Sequence, residues 1–136
     1  MIRPIMRDRI FLAQKSEPAT DQDLPTVQDL KDTLKANRNA CVGMAANMIG
    51  VRKNIIIFSI GPVDMVMLNP EIVEKAGAFQ TEEGCLSLDG VRPVTRYQEI
   101  EVEFLNEKFV RRRQKFRGWV AQIIQHECDH LEGILI

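Results

Sequence analysis

Residues 119–133 read WVAQIIQHECDHLEG and contain both histidines of the chain. Apolar residues recur at helical spacing, which predicts a helix from Trp119 to Glu132. We expect its buried side to consist of Trp119, Val120, Ile123, Ile124 and Leu131. Gly133 is of the residue type that commonly ends such a helix. Because residues four apart lie one above the other, His126 and His130 are expected to point in the same direction.

The segment His126-Glu127-Cys128-Asp129-His130 matches the pattern H-E-x-x-H. Two imidazoles at this spacing can bind one cation, and Glu127 beside them can serve as the base in amide hydrolysis. The pattern also occurs by chance on amphipathic helices, so the motif alone leaves both interpretations open. A zinc-type hydrolase needs a third protein ligand. The sequence offers Cys85 within the segment Glu83-Gly84-Cys85-Leu86-Ser87.

The composition is that of one ordinary globular domain, which we expect to span residues 1–136. The chain carries a formal net charge of -1, which argues against broad electrostatic attraction to DNA or to an anionic membrane. Its longest apolar run, Ile55–Phe58, is far too short to cross a bilayer. The N-terminus shows no signal peptide, so we expect a cytoplasmic protein. Three cysteines without an export signal do not suggest a disulfide framework.

The rest of the chain predicts one further helix and several strands. Residues 14–24 are interpreted as a surface loop, followed by a helix from Thr26 to Ala36 with Thr26 as its N-cap. Two apolar segments, Asn54–Ile60 and Met65–Asn69, are expected to be strands, the second ending at Pro70. Apolar and acidic residues alternate over 99–104, and a hairpin partner should follow, ending near Arg117. This order, without regular βαβ alternation, predicts an α+β domain with a largely antiparallel sheet.

Two segments, Glu83–Ser87 and Gln125–Gly133, closely resemble signature motifs of the peptide deformylases. These enzymes remove the formyl group from the N-terminal formylmethionine of new bacterial proteins. The resemblance extends over most of the chain from the first long helix onward. It implies mostly antiparallel β-sheets packed around a central helix that carries the H-E-x-x-H residues. It also implies that formylmethionyl peptides of nascent chains are the substrates.

The resemblance assigns roles to individual residues. It implies that Cys85, His126 and His130 bind one divalent cation, with Fe(II) favoured and Zn(II) or Ni(II) as alternatives. Glu127 would be the general acid/base, and the backbone N–H of Leu86 would donate to the oxyanion of the tetrahedral intermediate. Further implied positions are a structural ion pair of Glu83 with Arg96 and a substrate-binding surface that includes Gly43, Gly84 and Gln122.

The first family motif, approximately G-φ-G-φ-A-A-x-Q with φ apolar, is altered here to Cys41-Val42-Gly43-Met44-Ala45-Ala46-Asn47-Met48. Met48 stands where the family has a glutamine that donates to the oxyanion, and a thioether cannot donate a hydrogen bond. Loss of one such donor typically lowers turnover about 100- to 1000-fold. Asn47 has suitable chemistry, but one residue away it should point in another direction. We therefore expect deformylation with reduced efficiency.

A second departure is Gln122, which shares the helix stripe of His126 and His130 where the family usually places an apolar residue. Its amide could remain solvated at the pocket rim. Alternatively, it could shift the acyl or side-chain preference, or replace the lost oxyanion donor. Cys41 and Cys128 are interpreted as packing residues. The chain ends at Ile136, where many family members continue into a C-terminal helix that could serve docking or stability.

A basic segment, Lys108–Arg117, has two interpretations. It could make a weak contact with ribosomal RNA near nascent chains. The favoured interpretation is an edge strand whose charges prevent aggregation and pair with acidic residues across the hairpin, since charged edge strands are a common protective feature. For the whole chain, the alternatives to a deformylase are a related N-acyl amide hydrolase and a catalytically weak, metal-containing peptide-binding protein.

Overall fold

The computed structural model describes all residues from Met1 to Ile136. A short helix, α1, covers Arg9–Leu12, and the first long helix, α2, covers Leu24–Ala36. The prediction that α2 starts after a Thr26 cap is wrong, because Pro25 lies inside its first turn, where a missing N–H costs no hydrogen bond. Its predicted apolar face is confirmed, since Val27, Leu30 and Leu34 are buried.

Five antiparallel strands form one sheet in sequential order. They are β1 (Gly43–Ala45), β2 (Ile55–Ile60), β3 (Val63–Cys85), β4 (Leu88–Leu105) and β5 (Arg111–Arg117). A 3₁₀ turn, Ala46–Ile49, connects β1 to the segment before β2. The antiparallel sheet confirms the predicted fold class.

The strand predicted to end at Pro70 continues to Cys85 as β3. The ladder with β4 is irregular between Leu68 and Glu71, and Asn69 adopts a positive φ of 52°. Proline lacks an N–H for a ladder, but a bulge already interrupts the pairing, so Pro70 is accommodated. This continuation matters because it brings Cys85 next to His130 of the last helix.

The hairpin of β4 and β5 follows the predicted alternation. Ile100, Val102 and Phe104 are buried, and the acidic residues between them point to the opposite face of the sheet. The register pairs Glu101 with Lys115 and Glu103 with Arg113. Cross-strand pairs of opposite charge therefore stabilise the edge of the sheet.

The last helix, α3, covers Gly118–Leu131, and Gly133 follows it with a φ of 78°. Ile123, Ile124 and Leu131 are buried as predicted. Trp119 is a correction, because 64% of its surface is exposed. It lies in the first turn of α3, directly after the chain leaves β5, and so it borders the surface instead of the core.

Two apolar clusters lie on opposite faces of the sheet. The first contains Leu30 and Leu34 of α2 with Ile55 and Ile57 of β2. The second contains Ile124 of α3 with Ile56 and Phe58 of β2. Because successive strand residues point to opposite faces, the continuously apolar β2 packs against both helices and forms the middle layer. None of the helices has the length and hydropathy that crossing a bilayer requires.

Candidate active site

The strongest cluster of ligating side chains joins the end of β3 to the middle of α3. The Nε2 atoms of His126 and His130 are 3.1 Å apart, and Cys85 Sγ is 3.2 Å from His130 Nε2. His126 and His130 are one helical turn apart, as their spacing predicted. The structure thus brings together all three residues that the sequence proposed as ligands.

These three side chains fit a single divalent cation. Their ligand atoms all lie within 4.8 Å of one another. A cation bound at about 2.0–2.3 Å by nitrogen and sulfur holds its ligands at this kind of mutual separation. Two imidazoles and one thiolate leave the fourth position of a tetrahedral site open, as in catalytic rather than structural sites.

A buried ionic network orients His126. Its Nδ1 lies 2.8 Å from Glu83 Oε1, and Arg96 donates to both oxygens of the Glu83 carboxylate at 2.7–3.1 Å. Burial opposes ionisation of Glu83, but hydrogen bonds from His126, Arg96 and Gln122 outweigh it and lower its pKa to about 2. An ionised Glu83 accepts from Nδ1–H, which leaves Nε2, beside His130 Nε2, as the nitrogen of His126 that can bind a cation.

Arg96 extends this network to α3 through a second carboxylate. Its Nη1 atom donates to Asp129 Oδ2 at 2.7 Å, and only 5% of the Arg96 side chain is exposed. The ion pair between Glu83 and Arg96 was anticipated from the sequence, whereas the role of Asp129 was missed. The one signal available in the sequence was the position of Asp129 within the H-E-x-x-H segment.

Glu127 lies next to the cluster and is 4% exposed. Its Oε1 atom is buried without a hydrogen-bond partner in the chain. Burial raises the pKa of Glu127 to about 7. A carboxyl group with a pKa near neutrality can both accept and return a proton at physiological pH, which suits a general acid/base.

A cleft of about 260 Å³ opens beside these groups. Its walls include Met48, Leu86, Trp119 and Ile123, together with His126 and Glu127. Gly43, Gly84 and Gln122 also line it, so the cleft contains every residue that the sequence placed in the site except His130, which is fully buried. Sequence reasoning missed Trp119 as a wall because its helical spacing suggested burial in the core.

Close packing explains the two glycines. A Cβ atom on Gly43 would lie 2.9 Å from Glu127 Oε2 and 2.7 Å from Ile123 Cγ2. A Cβ atom on Gly84 would lie 3.2 Å from the carbonyl oxygen of Gly90. Any side chain at position 43 would therefore displace the Glu127 carboxylate.

The two residues that the family resemblance relates to the oxyanion, Leu86 and Met48, both line the cleft. Leu86 lies in the turn between β3 and β4. Among the backbone hydrogen bonds of turns and loops, none has the N–H of Leu86 as its donor. Met48 is buried, and its Sδ atom accepts from the N–H of Ala45 at 3.4 Å. Asn47 turns away, because its Nδ2 atom donates to the carbonyl oxygen of His130 at 2.8 Å.

The amide of Gln122 has a definite partner. Its Nε2 atom donates to Glu83 Oε2 at 2.8 Å, and the residue is half-buried. In this arrangement the amide N–H points to the network behind His126. Neither of the two locations considered from the sequence, the solvated rim or the oxyanion, describes that contact.

The two remaining cysteines have raised thiol pKa values. Burial raises the pKa of Cys41 to about 12 and also raises that of Cys128. Both thiols are therefore protonated at neutral pH. Cys41 borders the cleft, whereas Cys128 packs with the cluster between α3 and the sheet.

Comparison with known proteins gives consistent results. A family model described as Polypeptide deformylase matches residues 3–136. The peptide deformylase of Clostridium beijerinckii is 53% identical over 136 residues, 100% of both chains. A crystal structure of a peptide deformylase from Legionella pneumophila superposes with a TM-score of 0.89 at 33% identity, covering 99% of this chain and 83% of that one. A Met-Ala-Ser-bound class I type b peptide deformylase from Acinetobacter baumannii superposes at 0.88 with 30% identity, covering 99% and 97%.

Proposed function

The chain belongs to the polypeptide deformylase family, and from that membership we propose that Cys85, His126 and His130 hold its one catalytic cation with Glu127 as general acid/base. The protein is a hydrolase that removes the N-formyl group from newly made peptides. The observation that carries the assignment is the convergence of three ligand atoms within 4.8 Å beside a buried, unpaired carboxylate. Residues 1–136 are proposed to act as one domain.

We propose Fe(II) as the resident cation, with Zn(II) or Ni(II) able to replace it. Two imidazoles and one thiolate suit all three of these divalent metals. When bound, the cation makes water acidic enough to attack near neutral pH and polarises the formyl carbonyl. A thiolate ligand beside Fe(II) is exposed to oxidation, so activity of the iron form should decay in air.

The proton transfers are assigned to Glu127. Its carboxylate removes a proton from the attacking water as the new C–O bond forms at the formyl carbon. It then returns this proton to the amide nitrogen as the C–N bond breaks, releasing formate and the free amino group of methionine. Burial raises the pKa of Glu127, which favours return of the proton to the amide nitrogen once the carboxylate has accepted it.

Stabilisation of the developing oxyanion is assigned to a hydrogen bond from the N–H of Leu86. Because Met48 offers no donor, the cleft has lost the side-chain contribution that the family motif supplies. We propose that this chain deformylates peptides with lower turnover than relatives that have glutamine at this position.

The side chain of the formylated methionine is proposed to enter the cleft along Ile123 and Trp119. Gly43 and Gly84 allow the peptide backbone to approach the site closely. The Acinetobacter baumannii deformylase that superposes on 99% of this chain is bound to Met-Ala-Ser, which supports a peptide beginning with methionine as the ligand class. Gln122 contributes its aliphatic stem to the same wall while its amide is bound to Glu83.

Formylated chains are made in the cytoplasm, and we propose that the protein works there. A weak ribosome contact through the segment Lys108–Arg117 is also proposed. Arg111 and Arg112 make no ion pair, whereas Arg113 is bound to Glu101 and Glu103. If ribosome co-sedimentation is unchanged when Arg111, Arg112 and Arg113 are all replaced by Glu, the contact does not exist and the edge-strand role remains.

The proposed function is tested by formate release from a short formyl-methionyl peptide after anaerobic loading with Fe(II). We expect the wild type to release formate, and the free amino group of methionine to appear from the formyl peptide but not from the matching acetyl peptide. Cys85→Ser should give neither product. Equal hydrolysis of both peptides would indicate a broader amide hydrolase. Full activity of Cys85→Ser would exclude this metal site.

A further inference from the structure

The N-terminal segment contacts both walls of the cleft. The N–H of Met6 donates to the carbonyl oxygen of Met48 at 2.7 Å. The next residue, Arg7, donates from Nη1 to the carbonyl oxygen of Leu86 at 3.0 Å and from Nη2 to Asp89 Oδ1 at 2.7 Å. Two consecutive residues therefore connect the 3₁₀ turn of Met48 to the turn that carries Leu86.

The turn that carries Leu86 has few restraints of its own. The ladder between β3 and β4 ends at the pair of Cys85 and Leu88, leaving Leu86 and Ser87 as a two-residue loop. The hydroxyl of Ser87 is buried without a partner. The hydrogen bond from Arg7 to the Leu86 carbonyl oxygen therefore restrains the residue whose N–H is the proposed oxyanion donor.

We propose that Arg7 is a positioning residue for deformylation, holding Leu86 so that its N–H remains available to the oxyanion in the cleft. This inference rests on the role proposed for Leu86. The geometry of that donor matters more here than in relatives with two donors, because Met48 cannot share the charge. Preorganised donors contribute to catalysis only when they already occupy the required position.

The ion pair of Arg7 is exposed to solvent, so Arg7 is expected to contribute little to the stability of the fold. The side chain of Arg7 is 54% exposed and that of Asp89 is 95% exposed. Ion pairs so accessible to water contribute little to stability. Removing Arg7 should therefore alter turnover without a matching loss of thermal stability.

The test compares Arg7→Ala, Arg7→Lys and Arg9→Ala in the Fe(II)-loaded protein, measuring kcat, KM and the thermal midpoint. Arg9 is an exposed neighbour whose side chain makes no ion pair or hydrogen bond, so it is the matched control. For Arg7→Ala we expect kcat to fall about 10-fold with KM within about twofold, because a misplaced donor loses part of its effect. Arg7→Lys should recover part of this loss, since an ammonium group can still donate to the Leu86 carbonyl.

Asp89→Ala supplies a second comparison. It removes the outer ion pair and leaves the bond from Arg7 to Leu86, so its kcat should stay closer to the wild type than that of Arg7→Ala. The proposal is overturned if Arg7→Ala matches Arg9→Ala in kcat, or if its lower kcat accompanies a lower thermal midpoint and Lys restores neither. A wild type that releases no formate would contradict the proposed function itself, which distinguishes the two failures.

Discussion

At the scale of single residues, Gly43 shows how closely the base is packed. Replacing it with alanine would place a methyl group 2.9 Å from Glu127 Oε2. We expect Gly43→Ala to lower kcat at least about 10-fold by displacing the base, and to destabilise the fold by about 1–3 kcal/mol through overpacking. Formate release and urea denaturation measure these two effects.

A control for that variant is Gly61→Ala. Gly61 has a φ of 75° with nothing within 4 Å of an added Cβ, so its substitution strains only a distant turn. This change should reduce stability by about 1 kcal/mol and leave kcat unaltered. If the two variants lose the same fraction of activity, packing of Gly43 against Glu127 is not important for catalysis.

Met48 is the second decisive residue. A glutamine there could still accept from the N–H of Ala45, as the sulfur now does at 3.4 Å, while its amide donates to the oxyanion. We expect Met48→Gln to raise kcat by about 10- to 100-fold. Met48→Leu, which has no donor, should remain near the wild type. Equal turnover of the two variants would contradict the oxyanion argument.

Much of the site could be predicted from sequence because its residues lie within two short motifs. His126, Glu127 and His130 follow from helical geometry, and Cys85 from a motif. The contact of Arg7 could not be predicted, since Leu86 lies 79 positions further along the chain and the two residues meet only in the folded protein. The partner of Gln122 was also unpredictable, because the rotamer that reaches Glu83 depends on where β3 lies against α3.

At the scale of elements, the network of Glu83, Arg96 and Asp129 joins β3 and β4 to α3. Arg96→Met would leave the Glu83 carboxylate buried without its guanidinium partner. We expect a loss of about 3–5 kcal/mol in the free energy of unfolding. Since Glu83 orients His126, metal affinity should also fall about 10- to 100-fold. Chemical denaturation and metal titration give both values.

Arg113→Met is the matched control for this change. Arg113 also pairs with two carboxylates, but 51% of its side chain is exposed. Its loss should cost less than about 1 kcal/mol and leave metal affinity unchanged. If both variants lost similar amounts of stability and metal affinity, the burial of the Arg96 network would not explain its effect on either quantity.

Element types were predictable, but several boundaries were not. Alternation identified the β4 and β5 hairpin because one face is apolar and the other charged. Pro70 suggested a strand end, yet a bulge accommodates it and β3 continues to Cys85. Trp119 continued the apolar stripe of α3 but lies at the surface. Strand boundaries and burial at such positions depend on tertiary contacts, which the local sequence pattern does not contain.

At the scale of the whole molecule, the cation should link two parts of the fold. Its proposed ligands come from the end of β3 and from α3, which lies on one face of the sheet. A ligand that binds only the folded state raises stability by mass action. We expect chelation to abolish formate release and lower the thermal midpoint of the wild type. Cys85→Ser should have a lower midpoint that chelation changes little, and an unchanged wild-type midpoint would argue against a cation at these ligands.

The central claim is that Glu127 moves the proton beside a cation held by Cys85, His126 and His130. Glu127→Gln keeps the shape of the side chain and removes its ability to accept a proton. The decisive measurement is formate release by this variant, with its metal content determined on the same sample. We expect one cation per chain and a kcat at least about 1000-fold below that of the wild type. Wild-type turnover at the same metal content would contradict it.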